Sequence, residues 1–280
     1  MAFKLAIDAG HCLKTAGKRV DKKLDAAQTR EWTLNDRVAR YIAEAAKQYE
    51  GVETLRVDDV TGKKEVSLSA RCKAANNWGA DVYISCHHNA GIKLGTGGGI
   101  VSYCYKPGTK AAEYRDEIYA SCITAGGLKG NRSNPTPEKG YYVLKYTKAP
   151  AVLTEYGFMD SKTDVPVILT DDYAKLVGYA TMEGIAKAAG LQKATGAAAK
   201  QPSVKIDSAR SFAKAKAGKY TVTASSLNLR SGASTQKQVL ESMPKGTVFT
   251  CYGYYTGDWL YGVSAGGKTG FCHSSYLKKK

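Results

Sequence analysis

Histidine is scarce in this chain of 280 residues: only His11, His87, His88 and His273 occur. Two of the four stand side by side where an alternating apolar run turns polar, in Asp81 to Ala90, DVYISCHHNA. Long apolar runs are missing too. No stretch approaches the roughly 20 consecutive apolar residues of a membrane helix, which argues against stable membrane insertion. The amino terminus, MAFKLAIDAGH, passes straight into strand-like alternation, without the charged region, apolar stretch and cleavage site of a signal peptide. Synthesis in, and initial retention by, the cytoplasm is therefore expected. None of the seven cysteines falls in a Cys-x-x-Cys pair, and small buried hydrophobes are the expected role. Cys251 and Cys272 share the small C-terminal module, where sequence alone establishes no bridge.

Acidic residues are nearly absent from the C-terminal third. Residues 191–280 hold 14 Lys and Arg against 3 Asp and Glu, whereas residues 1–190 hold 27 against 22. Such an excess calls for a polyanionic partner: nucleic acid, an anionic membrane surface, or an acidic polymer such as a bacterial wall. A helix-turn-helix pattern, an RNA-binding aromatic motif and zinc-finger spacing are all lacking, which counts against nucleic acid.

What is present divides into two textures. Up to about residue 190, strands and helices alternate. FKLAIDAGH, VETLRVD, ADVYISC, GGIVSYCY and PAVLTEYGF read as strands. Leu34, Val38, Ile42, Ala45 and Tyr49 mark a helix over 31–49; Leu68, Cys72, Ala75 and Trp78 mark a second, closed by Gly79. Further helices are predicted over 109–124 and 172–189. This alternation predicts an α/β fold, a mostly parallel sheet with helices on both faces. Residues 191–218, rich in Ala, Lys and Ser without an apolar stripe, read as a linker. Residues 219–280 then give five or so short aromatic and β-branched runs cut by Gly, Pro and Asp, the pattern of a small all-β barrel.

In an open α/β sheet, ligands bind beyond the carboxyl ends of the parallel strands. Three strands here end in groups fit for metal chemistry: His11, His87 and Glu155. Glu31 opens the first long helix beside the same edge. His11, Glu31 and His87 would make a two-histidine, one-carboxylate set suited to Zn²⁺ with one position left for water. Strand alternation puts Ser85 and His87 on one face and Cys86 and His88 on the other, so His88 is not expected to share the ion. Each residue also has a plain reading: surface histidines, a helix-dipole glutamate, a strand exit. Convergence on one edge favours the metal.

IDAGH, the glutamate opening TREWTLND, then LSARCKAANNWGADVYISCHHNA and PAVLTEYGFMD resemble, in order, the zinc-dependent N-acetylmuramoyl-L-alanine amidases. That resemblance covers about 1–190. It implies cleavage of peptidoglycan between N-acetylmuramic acid and L-alanine, one zinc ion on His11, Glu31 and His87, and Glu155 as the catalytic glutamate. HCLKTAG departs from the glycines that often follow the first histidine in that family. LNLRSGAST, MPKGTVF, DWLYGV and GGKTGFCHSSYL resemble a bacterial SH3 domain of the kind that docks enzymes on cell walls. The combination resembles a bacteriophage or prophage endolysin of Gram-positive hosts, acting at the wall after release, with peptidoglycan and associated wall polymers as partners. Two rivals remain at this stage: a zinc peptidase cutting within the stem peptide, and a non-catalytic wall- or nucleic-acid-binding protein.

Overall fold

The alternating run FKLAIDA forms β1 (Phe3–Ala9), and its Leu5, Ala6, Ile7 and Ala9 are wholly buried. Burial on both faces is what a central strand of a parallel sheet requires. The computed structural model describes residues 2–194, 207, 209, 211–266 and 268–280. β1 lies between β2 (Val52–Arg56) and β3 (Val82–Asn89), parallel to both. β5 (Ala151–Phe158) runs parallel to β3, and the three-residue β4 (Val101–Tyr103) closes the edge antiparallel to β5. The order is β2-β1-β3-β5-β4.

Helices cover both faces. α1 (Glu31–Ala46), α3 (Lys110–Ala125) and α6 (Asp171–Ala189) share one core with Ile7, Ile84 and Val152 of the strands. α2 (Leu68–Trp78) and the short α4 (Tyr142–Tyr146) pack with Ala6, Tyr83 and Leu153 on the other face; α5 (Val165–Ile168) follows β5. The stripe Leu34, Val38, Ile42 and Ala45 is buried as its helical spacing predicts. α2 begins on Ser67, whose side chain accepts from the Ala70 amide, and ends on Gly79 at φ 73°. Its buried face differs from the expected one. Leu68 is 52% exposed and Arg71 only 1% exposed, because Arg71 is turned inward to buried oxygens described below.

The C-terminal unit is all-β and antiparallel. It comprises β6 (Ser211–Phe212), β7 (Gly218–Val222), β8 (Ser226–Arg230), β9 (Val239–Pro244), β10 (Val248–Thr256), β11 (Trp259–Ser264), β12 (Thr269–His273) and β13 (Leu277–Lys279). The order is β13-β7-β10-β11-β12-β8-β9, with β6 also on β10. The expectation of about five strands missed β6 and β13, which are two and three residues long and too short to show a period. Cys251 and Cys272 are both buried in one cluster with Leu229, Met243 and Phe249, and both are free thiols.

The linker expected over 191–218 is narrower at both ends. The Leu191 amide donates to Ala186 O and the Ala194 amide to Gln48 O, so the chain stays fastened as far as 194. It is paired again at Asp207, whose amide donates to Ser231 O at 2.6 Å, and at β6, where Phe212 opposes Tyr254. The middle of the expected linker lies outside the described residues. Among the described residues, no helix is long and apolar enough to cross a membrane.

Candidate active site

Three backbone devices bring His11, Glu31 and His87 to one point at the carboxyl edge of the sheet. β1 pairs with β3 so that Ala9 faces Cys86, and the Gly10 amide extends the ladder by donating to Cys86 O at 3.0 Å. Gly10 has no substitute there, because a Cβ on it would overlap the His87 imidazole. His11 then turns the chain with φ 67°, a left-handed conformation that costs an L-residue roughly 1–2 kcal/mol. Glu31 enters as the first residue of α1 and is 1% exposed.

The side chains meet closely. His87 Nδ1 lies 3.0 Å from Glu31 Oε1, and His11 Nε2 lies 3.4 Å from the same oxygen. The two imidazoles stand edge to face with centroids 4.9 Å apart. Among the described residues, these three alone form a metal-ligand type of cluster, their ligand atoms all within 4.8 Å of one another. Glu155 sits directly across from His87 in the β3–β5 register and is half-buried. Sequence order thus brought all four expected residues to one place.

A polar scaffold holds this arrangement, and most of it escaped the sequence reading. His88 is buried on the opposite face, its Nδ1 2.8 Å from Asn35 Oδ1, while Asn35 Nδ2 donates to Gly10 O at 3.1 Å. The His88 amide donates to Glu31 Oε1 at 3.3 Å. The second histidine is therefore a strut. Through Asn35, one helical turn beyond Glu31, it braces the backbone that carries His11. Beneath the other face, Arg71 pairs with the Asp8 carboxylate and donates to Ala9 O at 2.8 Å and to His11 O at 3.1 Å. Ser85 Oγ donates to the second Asp8 oxygen at 2.7 Å. The carbonyl of the strained histidine is thereby tied to a buried cation. A signal did exist for Asn35, which lies four residues after Glu31 on the same helix face.

Electrostatics separate the two glutamates. Burial by itself would raise the Glu31 carboxyl, yet hydrogen bonds and charge from His11 and His87 outweigh it and hold the group well below the usual range. The His87 imidazole would be depressed by burial, but Glu31 and Glu155 push it above its ordinary value. Glu155 moves the opposite way. Desolvation dominates, and the nearby negative Glu31 adds to it, raising the carboxyl to about 7 despite His87 and Lys18. The two carboxyls thus move in opposite directions, Glu31 below its ordinary value and Glu155 above it.

The donor set also fits a divalent cation. Glu31 Oε2 is buried and has no hydrogen-bond partner; its nearest cation is Lys18 Nζ at 3.7 Å. A buried anion with an unfilled oxygen, two imidazoles beside it, calls for positive charge at that spot. Nitrogen, nitrogen and carboxylate oxygen are the donors that Zn²⁺ takes.

Comparison with known proteins agrees with this geometry. The sequence profile of the N-acetylmuramoyl-L-alanine amidase family matches residues 5–187, which include all four site residues. The chain belongs to the N-acetylmuramoyl-L-alanine amidase family. A second profile, the bacterial SH3 domain, matches residues 225–278. The sporulation-specific N-acetylmuramoyl-L-alanine amidase of Bacillus subtilis (strain 168) is 34% identical over 172 residues, 61% of this chain and 62% of that protein. The chain thus spans about three fifths of that relative's length. Two solved structures share the fold. The amidase of Clostridium difficile 630 aligns with a TM-score of 0.60 at 23% identity, over 68% of this chain and 97% of its own. The catalytic domain of the endolysin CD27L, which targets Clostridia difficile, aligns with a TM-score of 0.51 at 23% identity, over 66% and 97%.

Proposed function

We propose that the chain hydrolyses the amide between N-acetylmuramic acid and the L-alanine of the peptidoglycan stem, using one zinc ion held by His11, Glu31 and His87. The observation that carries this reading is geometric: His11, Glu31 and His87 bring their ligand atoms within 4.8 Å of one another, and Glu155 lies directly across the sheet from His87 with its buried Oε2 unpartnered. The ion, when bound, supplies Lewis acidity toward a carbonyl and toward water.

The chain's own residues do the rest. Gly10 leaves room for the His87 ring and Asn35 holds the Gly10 carbonyl beside His11, so both rings lie against Glu31. The Glu155 carboxylate takes a proton from the attacking water and returns it to the departing L-alanine nitrogen, which leaves poorly unless protonated. The C-terminal unit keeps the enzyme on peptidoglycan and associated wall polymers. The finer role is lysis of Gram-positive hosts by a phage or prophage enzyme, supported by the pairing of one amidase domain with one SH3-type module and by the fold shared with the CD27L catalytic domain.

Mass spectrometry of digested peptidoglycan, with and without a chelator, tests the proposal. Free glycan strands and intact stem peptides are expected, with both products lost on chelation. Fragments cut inside the stem would favour a zinc peptidase instead. No products at all would leave a wall-binding protein.

A further inference from the structure

The C-terminal unit contains an open pocket of about 310 Å³. Its position follows from the strands. β8 and β12 share one register pair, Phe271 with Arg230, and past it Cys272 Sγ still reaches Asn228 O at 3.8 Å. Asn228 and His273 line the pocket with Arg230, Trp259 and Tyr276, above the buried Leu227. β8 alternates as a strand must: Leu227 and Leu229 enter the core, leaving Ser226, Asn228 and Arg230 on the pocket side.

The walls have a definite chemistry. Trp259 pairs with His273 across β11 and β12, their rings edge to face at 5.2 Å. Tyr276 continues the wall 5.8 Å from His273 and is 49% exposed. His273 Nδ1 accepts the Ser275 amide at 3.4 Å, which fixes the ring and leaves Nε2 as its other polar atom. Arg230 is anchored by one N–H on Lys237 O at 2.8 Å, and its remaining N–H groups have no acceptor among the described residues. A guanidinium anchored at one corner and open at the others suits bidentate capture of a carboxylate. None of the pocket's lining residues is Asp or Glu, so sugar hydroxyls would find no anionic acceptor. The surplus of Lys and Arg over residues 191–280 points the same way, toward an anionic ligand.

We propose that this pocket binds the carboxylate-bearing stem peptide of peptidoglycan, with Arg230 on a carboxylate and the Trp259–His273–Tyr276 wall against the peptide. The identity of the peptide rests on the wall-hydrolase reading above. The test does not rest on catalysis, because a free stem tetrapeptide contains no muramoyl amide to cleave.

The Trp259 indole N–H signal of the full-length protein, assigned with Trp259→Phe, is followed by NMR during titration. The probes are the free tetrapeptide, the same peptide with every carboxylate amidated, and an N-acetylglucosamine tetramer. A saturable shift with the free tetrapeptide is expected. Binding should weaken roughly tenfold on full amidation or in Arg230→Gln, the cost of one charge-assisted contact. Tyr276→Ala, at an exposed position, should weaken it as well and guards against misfolding of the arginine variant. A shift with the sugar tetramer but not the peptide would overturn the proposal in favour of a glycan site. No shift with either probe, or peptide binding indifferent to Arg230→Gln and to amidation, would also overturn it. An active amidase with no shift here refutes only this pocket, while a shift in a chain that cleaves nothing refutes only the amidase.

Discussion

The two units handle their polar groups in opposite ways. In the α/β unit the site sits on a buried scaffold: Glu31 and Arg71 are 1% exposed and His88 3%, and these groups hold the partly buried His11 and His87 in place. In the β unit, Arg230, His273 and Tyr276 line a pocket open to solvent, each with few protein partners. The contrast follows from the tasks proposed for them. A proton-transfer site gains from donors fixed before the substrate arrives. A docking surface gains from cations that reach outward and from many weak contacts near the substrate. Charge is divided in the same sense, nearly balanced up to residue 190 and strongly basic beyond it.

If the buried site is as interdependent as it looks, single removals there should be catastrophic. His87→Ala and Glu31→Ala should each lose the metal and, with it, all measurable hydrolysis, since two remaining ligands are too few to retain zinc. Metal analysis of the purified variants checks this; a variant that keeps full zinc would break the claim that these three residues form the site. Arg71→Met comes next. It leaves the Asp8 charge buried and unpaired, and should cost about 3–5 kcal/mol in denaturant unfolding. It should also lower activity by releasing the His11 carbonyl.

Separating the units should have a smaller, substrate-dependent effect. A fragment ending at residue 194 is expected to cleave soluble muropeptides about as fast as the whole chain. On intact walls it should be slower by about tenfold or more, because tethering no longer raises its local concentration. The deficit should shrink as salt rises, since exposed charges are screened beyond about 8 Å at physiological ionic strength. A fragment inactive on soluble substrate would show that the β unit completes the site, and the contrast between the units would fail.

Burial should also make the α/β unit the pH-sensitive one. Asp164 is 2% exposed and accepts the Gly99 and Phe158 amides, yet desolvation outweighs those bonds and raises its carboxyl to about 6. Between its unfolded value of 3.8 and about 6 the folded chain binds the extra proton, so the contribution falls as pH rises through that window. Relative to Asp164→Asn, the protein should lose about 2 kcal/mol of stability from pH 4 to pH 7. A flat difference across that range would mean the carboxyl is not desolvated as the structure implies.

Much of this molecule was legible in its sequence, for identifiable reasons. Strand-end histidines and a helix-opening glutamate announce themselves because polar groups interrupt an apolar period at the edge where parallel sheets bind ligands. The scaffold was not legible for the converse reason. Arg71 lies one turn from Leu68 on a weakly amphipathic helix, and nothing in the pattern says that the arginine turns inward while the leucine faces water. His88 reads as the idle member of a pair until Asn35 and Gly10 are seen beyond it. β6 and β13 are shorter than any period, so both strands went unread, and the expected linker ran through β6.

Glu155→Gln tests the central claim most directly, because it removes the proton carrier while keeping size and hydrogen-bonding capacity. Zinc content, folding and turnover should be measured on one preparation. The account predicts a folded protein with one zinc per chain and turnover reduced by about 10²–10⁴-fold, the usual worth of a general acid–base group. A variant that loses its zinc, or that keeps near-normal turnover with zinc bound, would contradict it.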